Sequence, residues 1–198
     1  MGRRWHSFRV IHLLFVVLVA AWIASFASPF ASAQSTGFDL AGNPVDPLKL
    51  AGGRVVVLVF VRTDCPVSNR YAPTIQKLSA EQASKVAFWL VYPSKSESAE
   101  VIRKHRRAYG YKIPALRDPQ HALVKESQVQ ITPEVAVFRA NRHLVYRGRI
   151  DNLYEDIGRA RSAATTHELQ DAIAAALSDK SLDVAATHGV GCYISDLE

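Results

Sequence analysis

Residues 55–78 read VVVLVFVRTDCPVSNRYAPTIQKL, from Val55 to Leu78. Val55 to Phe60 carries no polar alternation, so both faces of this strand should be buried, as in a central strand with helices on both sides. Arg62, Thr63 and Asp64 form a short polar loop before Cys65. Behind the cysteine, Ile75 and Leu78 fall on one side of a helix. Pro66 suits the first helical position, where no hydrogen bond is lost, and Pro73 should kink the helix. The order strand, loop, cysteine, helix puts a thiol at a helix start, beyond the end of a buried strand. Free backbone N–H groups there stabilise an anion, and the thiolate is the nucleophilic form of cysteine. Asp64 works against ionisation, and Arg62 and Arg70 offset it if they fold toward the sulfur.

The stretch resembles the active-site segment of the thioredoxin superfamily, in which a strand ends in Phe, the attacking Cys follows, and a kinking Pro stands eight residues after it. Phe60, Cys65 and Pro73 match that spacing. The family's second Cys, three residues on, is Ser68 here, so the motif reads C-P-V-S. The resemblance is closest to the redoxin branch, the alkyl hydroperoxide reductase and thiol-specific antioxidant type in its exported bacterial form, and spans about Gly37 to Ser178. It implies an α/β thioredoxin-like fold, a central mixed β-sheet flanked by helices on both faces with an N-terminal hairpin; past Ser178 the sequence adds a C-terminal cysteine-bearing tail. The peroxiredoxin signature, a Thr three residues before the Cys and a Pro seven before, is replaced by Arg62 and Leu58, which lowers the peroxidase reading.

On the N-terminal side, Phe38 to Arg54 holds the turn signals Gly42-Asn43-Pro44 and Gly52-Gly53, which fit the hairpin. Residues 1–33 read as a signal peptide. Arg3, Arg4 and Arg9 make a basic start, Val10 to Phe26 is apolar apart from His12 and Ser25, and Ala31-Ser32-Ala33 supplies a small-residue cleavage pattern before Gln34. The domain is then residues 34–198, tail 179–198 included, and is periplasmic or secreted. An uncleaved segment over residues 10–27 would instead anchor it in a membrane. Of the formal charge of +6, three Arg and no acid lie in residues 1–33, leaving +3 on the remaining 165 residues. That mild excess argues against a nucleic-acid binder, and 165 residues fit one domain.

On the C-terminal side, Val86 to Tyr92 is a second buried strand, and a helix is predicted over residues 94–109 with Ser96 or Ser98 as its cap. Val101, Ile102, His105 and Tyr109 fall near one face of it, and Arg103, Lys104, Arg106 and Arg107 make a solvated basic face. Pro114 to Leu116 reads as a short strand and His121 to Ser127 as a helix. Glu134 to Phe138 is a strand that follows Thr132-Pro133. The superfamily resemblance implies that Pro133 is cis and faces the cysteine, with Thr132 offering backbone to substrate. In the returning strand, Leu144 to Ile150, alternation puts Val145, Arg147 and Arg149 on one face and Tyr146, Gly148 and Ile150 on the other. Peroxiredoxins place an Arg near the reactive sulfur, so Arg149 or Arg147 is a candidate; an ion pair of Arg149 with Asp151 or a nearby acid is the structural alternative. Asn152 to Thr165 is turn-rich, and Thr166 should cap a helix with Leu169, Ile173, Ala176 and Leu177 on its apolar face.

Cys65 and Cys192 are the only cysteines. They are either a structural staple, two unrelated thiols, or an attacking and a distant resolving thiol. The last requires an accessible Cys65 and a mobile Cys192, and Gly189 and Gly191 lower the cost of moving the tail, which should be free in the reduced state. His188 stands alone near it. The histidines are scattered, no metal-ligand spacing occurs, and no cofactor is called for. A copper-delivery protein of this fold would need a Cys where Asn69 stands. The expected activity is a thiol oxidoreductase: Cys65 attacks a protein or small-molecule disulfide or a peroxide, Thr132, Pro133 and Arg149 bind substrate, and Cys192 or an external thiol reductant resolves the product. The alternative is a non-catalytic binding or assembly module with a permanent Cys65–Cys192 bond.

Overall fold

The structure, a computed structural model, describes residues 36–182, 184–195 and 197. The predicted leader over residues 1–33 and its cleavage site before Gln34 lie outside them. Among the described residues no helix is long and apolar enough to cross a membrane.

In chain order the elements are β1 (Gly37–Phe38), β2 (Pro44–Val45), α1 (Pro47–Leu50), β3 (Val55–Phe60), α2 (Pro66–Arg70), α3 (Ala72–Glu81), β4 (Val86–Tyr92), α4 (Ala99–Ala108), β5 (Ala115–Arg117), α5 (Ala122–Ser127), β6 (Ile131–Thr132), β7 (Glu134–Phe138), β8 (Leu144–Gly148), β9 (Tyr154–Asp156), β10 (Arg159–Ala160), α6 (Glu168–Leu177) and β11 (Cys192–Tyr193). Seven strands form one mixed sheet in the order β2-β1-β5-β4-β3-β7-β8. β3, β4 and β5 run parallel, and β7 and β8 return antiparallel beside β3. The hairpin β1–β2 joins the far side through Phe38 and Arg117.

The apolar run of β3 is buried on both faces, as its lack of alternation predicts. Val55, Val57 and Val59 pack with Ile75 and Leu78 of α3, Ile102 of α4, and Leu169 and Ile173 of α6. Val56, Leu58 and Phe60 pack on the opposite face with Leu48 of α1 and with Leu123 and Val124 of α5. Because β7 pairs Glu134 with Phe60 and runs antiparallel, the start of β7 lies beside the end of β3. This register alone brings Thr132-Pro133 to the loop that carries Cys65.

Several predicted boundaries move, each for a local reason. The kinked helix after Cys65 is two helices, with Pro66 opening α2 and Pro73 in the first turn of α3. Proline cannot donate its missing N–H, so the break falls at Tyr71, ahead of it. The helix predicted over residues 94–109 shortens to α4, because Ser98 caps it at the Val101 amide while the Glu97 side chain is drawn away to the Thr63 amide. Ile102 and His105 face the core, and Val101 and Tyr109 are exposed. Thr166 does not cap α6: its hydroxyl donates to Glu168, and His167 holds the cap position without a side-chain bond. Leu177 is exposed, and Ala172 and Ala175 complete the buried face. The turn-rich segment after Asn152 contains the small hairpin β9–β10.

The largest departure is the tail. Both cysteines are free thiols, yet the segment before and after Cys192 is docked rather than loose. Its first part meets the outer edge of β8: Arg147 donates its amide to Ala185 and accepts from the Thr187 amide. Its last part is β11, antiparallel to β6, with Cys192 opposite Thr132 and Tyr193 opposite Ile131. Ile194 is buried in the core cluster on the α5 face.

Candidate active site

Cys65 is the residue before α2, in extended backbone, with Pro66 at the first helical position. The five residues of α2 end at once, so the aligned dipole of a long helix is not what faces the sulfur. Individual donors are. The buried Ser68 hydroxyl has no partner among the described residues while Cys65 is a thiol; it stands beside the sulfur, and a thiolate would accept from it. Burial by itself would push the Cys65 thiol up, but hydrogen bonds from the Ser68 hydroxyl and amide and from Cys192 outweigh it and hold the thiol below its ordinary range. As a thiol, Cys65 donates to the Thr132 carbonyl at 3.1 Å.

The Thr132-Pro133 peptide is cis, as the resemblance implies. Thr132 and Glu134 are both buried and frame the proline. The Glu134 carboxylate accepts from the amides of Gln130 and Ile131 with one oxygen and from the Gly189 amide with the other. A carboxylate in an otherwise apolar strand (EVAVF) is the sequence signal for this role. It ties the proline loop to the tail.

The tail crosses the site. The Ile194 amide donates to the Gln130 carbonyl at 2.9 Å, and the Thr132 hydroxyl donates to the Cys192 carbonyl at 3.2 Å. The close approach depends on glycine. A Cβ on Gly191 would sit 2.0 Å from the Thr132 oxygen, and one on Gly148 would sit 2.3 Å from the Thr187 hydroxyl. The Thr187 hydroxyl is bonded in turn by Tyr146 and by the Arg149 amide. As a result Cys65 is 0 % exposed, where the sequence reading requires it accessible. Cys192 is half-buried, and its thiol neighbours that of Cys65. Burial, together with the neighbouring Cys65 sulfur, pushes Cys192 up to about 11.

The structure therefore brings together Cys65, Cys192, Thr132 and Pro133. It does not bring Arg149 to them: its guanidinium is held by Glu168 through Nε and Nη2. That is the ion pair expected as the structural alternative, with Glu168 rather than Asp151 as partner; Asp151 instead accepts from the Tyr71 hydroxyl. The arginine that reaches the cysteine pair is Arg62, which bonds Asp64 at 2.8 Å and the Tyr193 carbonyl at 3.4 Å. Its charge favours the Cys192 thiolate and that of Asp64 opposes it. Arg70 is exposed.

Comparison with known proteins fits this geometry. The family model described as Redoxin matches residues 27–163. Among solved structures, an uncharacterised conserved protein from Geobacillus kaustophilus is similar at 21% identity, covering 80% of this chain and 86% of that one, with a TM-score of 0.68. A hypothetical protein from Sinorhizobium meliloti is similar at 22% identity, covering 80% and 88%, with a TM-score of 0.67. A secreted Mycobacterium tuberculosis disulfide oxidoreductase, homologous to E. coli DsbE, is similar at 21% identity, covering 72% and 96%, with a TM-score of 0.51. At these identities the likeness is one of fold. No curated protein matched the chain. The Redoxin match over 27–163, more than half of the sequence, shows that the chain belongs to the redoxin family of thioredoxin-like thiol oxidoreductases.

Proposed function

We propose that this protein is an exported oxidoreductase that exchanges electrons with disulfides through Cys65, with Cys192 as its resolving thiol. The observation that carries the reading is the pairing of β11 with β6, which sets Cys192 opposite Thr132 while Cys65 bonds the same Thr132 carbonyl. A chain with no second cysteine beside the first thus has one supplied by its tail.

In the first step the tail lifts and the Cys65 thiolate attacks one sulfur of a substrate disulfide. A Cys65–substrate bond forms, the substrate S–S bond breaks, and the departing sulfur leaves as a thiolate. While the tail is docked Cys192 is protonated, since burial and the adjacent Cys65 sulfur disfavour its thiolate, and it returns to the site after the first exchange. Once Cys65 is bonded its negative charge is gone, and Cys192 can give up its proton to the departing thiolate. It then attacks Cys65 and expels the second substrate thiolate. The substrate gains two electrons and the protein holds a Cys65–Cys192 disulfide, which an external thiol reductant reduces. Peroxide reduction shares the first nucleophile, but Arg62 replaces the peroxiredoxin Thr and is engaged by Asp64 and Tyr193, so the disulfide substrate is the reading preferred. The Arg-rich start and Ala31-Ser32-Ala33 support export.

The test is mass spectrometry of peptides across a glutathione redox series, after addition of a disulfide substrate. The expected result is a Cys65–Cys192 peptide with a midpoint well above about −300 mV. Absence of that peptide removes the resolving role, and a midpoint below about −300 mV makes the bond a structural staple.

A further inference from the structure

Behind the cysteine loop runs a chain of buried side chains that the chemistry above does not use. The Tyr92 hydroxyl lies 2.9 Å from Nδ1 of His105. Nε2 of His105 lies 2.7 Å from Oδ1 of Asn69, and Nδ2 of Asn69 donates to the Thr63 carbonyl at 3.1 Å. Donor accounting fixes every direction. A carbonyl can only accept, so the nitrogen of the Asn69 amide faces Thr63 and its oxygen faces His105. That oxygen can only accept, so Nε2 carries the proton. A neutral imidazole then accepts at Nδ1, and Tyr92 donates. Burial lowers the His105 pKa and keeps the ring neutral. The rings of Tyr109 and Tyr111 complete its surroundings, 4.8 and 5.9 Å away between centroids. On the other side of the same residue, the Thr63 amide donates to Glu97 at 2.6 Å. Thr63, two residues before Cys65, is thus gripped at both its amide and its carbonyl.

Asn69 follows Ser68 in α2, and its backbone amide bonds the Cys65 carbonyl at 3.0 Å. A helix of five residues has too few internal bonds to hold its own orientation, so external anchors set it. We propose that His105 is a positioning residue for Cys65: through Asn69 it locks α2 against the Thr63 loop and so aims the Ser68 hydroxyl and amide at the sulfur. This rests on reading Cys65 as the reacting thiol, but it is tested on the thiol itself. The surrounding fold supplies the element that redoxin chemistry needs, a fixed set of donors around one sulfur, from a histidine on the face of α4 remote from solvent.

The experiment is titration of Cys65 by thiolate ultraviolet absorbance in full-length protein carrying Cys192→Ser, so that one thiol remains. His105→Leu removes the donor to Asn69 and should raise the midpoint by about one pH unit, tenfold less thiolate at a given pH below it. His105→Gln should restore it, since a glutamine amide nitrogen reaches the Nε2 position and donates to the same oxygen. Equal shifts in Leu and Gln variants would mean general loosening and overturn the proposal, as would no shift in either. If His105→Leu fails to fold, Asn69→Ala at its half-buried position cuts the same link: the same rise supports the proposal and an unchanged midpoint refutes it. A shifted midpoint, with no disulfide turnover by the parent protein that keeps both cysteines, would leave the positioning role standing and remove the enzymatic reading.

Discussion

Replacing Gly191 by alanine puts a methyl group where the tail meets the proline loop. The new Cβ would lie 2.0 Å from the Thr132 oxygen and 3.1 Å from Cδ of Pro133, whereas ordinary contact begins at 3.4 Å. Backbone on both sides leaves nothing flexible to give way, so the tail must rise. In rising it loses the bonds from Ile194 to Gln130, from Thr132 to Cys192 and from Gly189 to Glu134. At about 1 kcal/mol each, net of water, these amount to about 3 kcal/mol. With 1.4 kcal/mol per factor of ten, the population with an exposed Cys65 grows by about 100-fold. When opening is fast, labelling follows that population. The assay is the rate of maleimide addition, read by intact mass in a Cys192→Ser background so that only Cys65 reacts. Gly191→Ala should label about 100-fold faster than its parent at the same pH. Equal rates in the two proteins would show that the tail does not cover Cys65 in solution, and the reasoning from glycine contacts would fall.

Two further tests address charge. Burial pushes the Asp118 carboxyl up to about 6 despite the amides of Ala122 and Val124 that it accepts. An acid whose folded pKa lies above its unfolded value is destabilising once ionised, so urea stability should fall by up to about 3 kcal/mol as the pH rises from about 4 to 6; Asp118→Asn should flatten that slope, and an unchanged slope would refute the assignment. Arg149→Ala should cost about 1 kcal/mol through its half-exposed pair with Glu168 and leave Cys65 labelling within about twofold; a tenfold change would return Arg149 to the reacting centre.

What could be read from the sequence follows how local the cause is. The apolar runs of β3 and β4 are self-declaring, because only a strand covered on both faces tolerates six or seven such residues. Cys65 was legible from its place between an apolar strand and a helix, and Thr132-Pro133 only through the family resemblance; the fold brings them together by the pairing of Phe60 with Glu134. The limits of α4 were not legible, because Glu97 is recruited by Thr63, 34 residues away. Arg149 was misplaced for the same reason: alternation gives its face, but its partner Glu168 lies 19 residues on, across a polar segment. His105 looked like one histidine on an apolar helix face, and only the spatial order of Tyr92, Asn69 and Thr63 gives it a role. The docking of the tail was least visible. Its bonds are mostly backbone bonds, which any sequence can make, and its glycines read equally well as freedom or as close contact. Here they are contact.

The docked tail also settles what the molecule shows to its neighbours. β8 is the last strand of the sheet, and its outer edge would present unpaired amides and carbonyls to any passing chain. Ala185 and Thr187 occupy part of that edge at Arg147, while Cys192 and Tyr193 occupy the edge of β6. One segment thereby caps two adhesive borders along with one reactive sulfur. A molecule caught with its tail raised is sticky as well as reactive, and self-association through strand edges becomes open to it at the moment its thiol is bared.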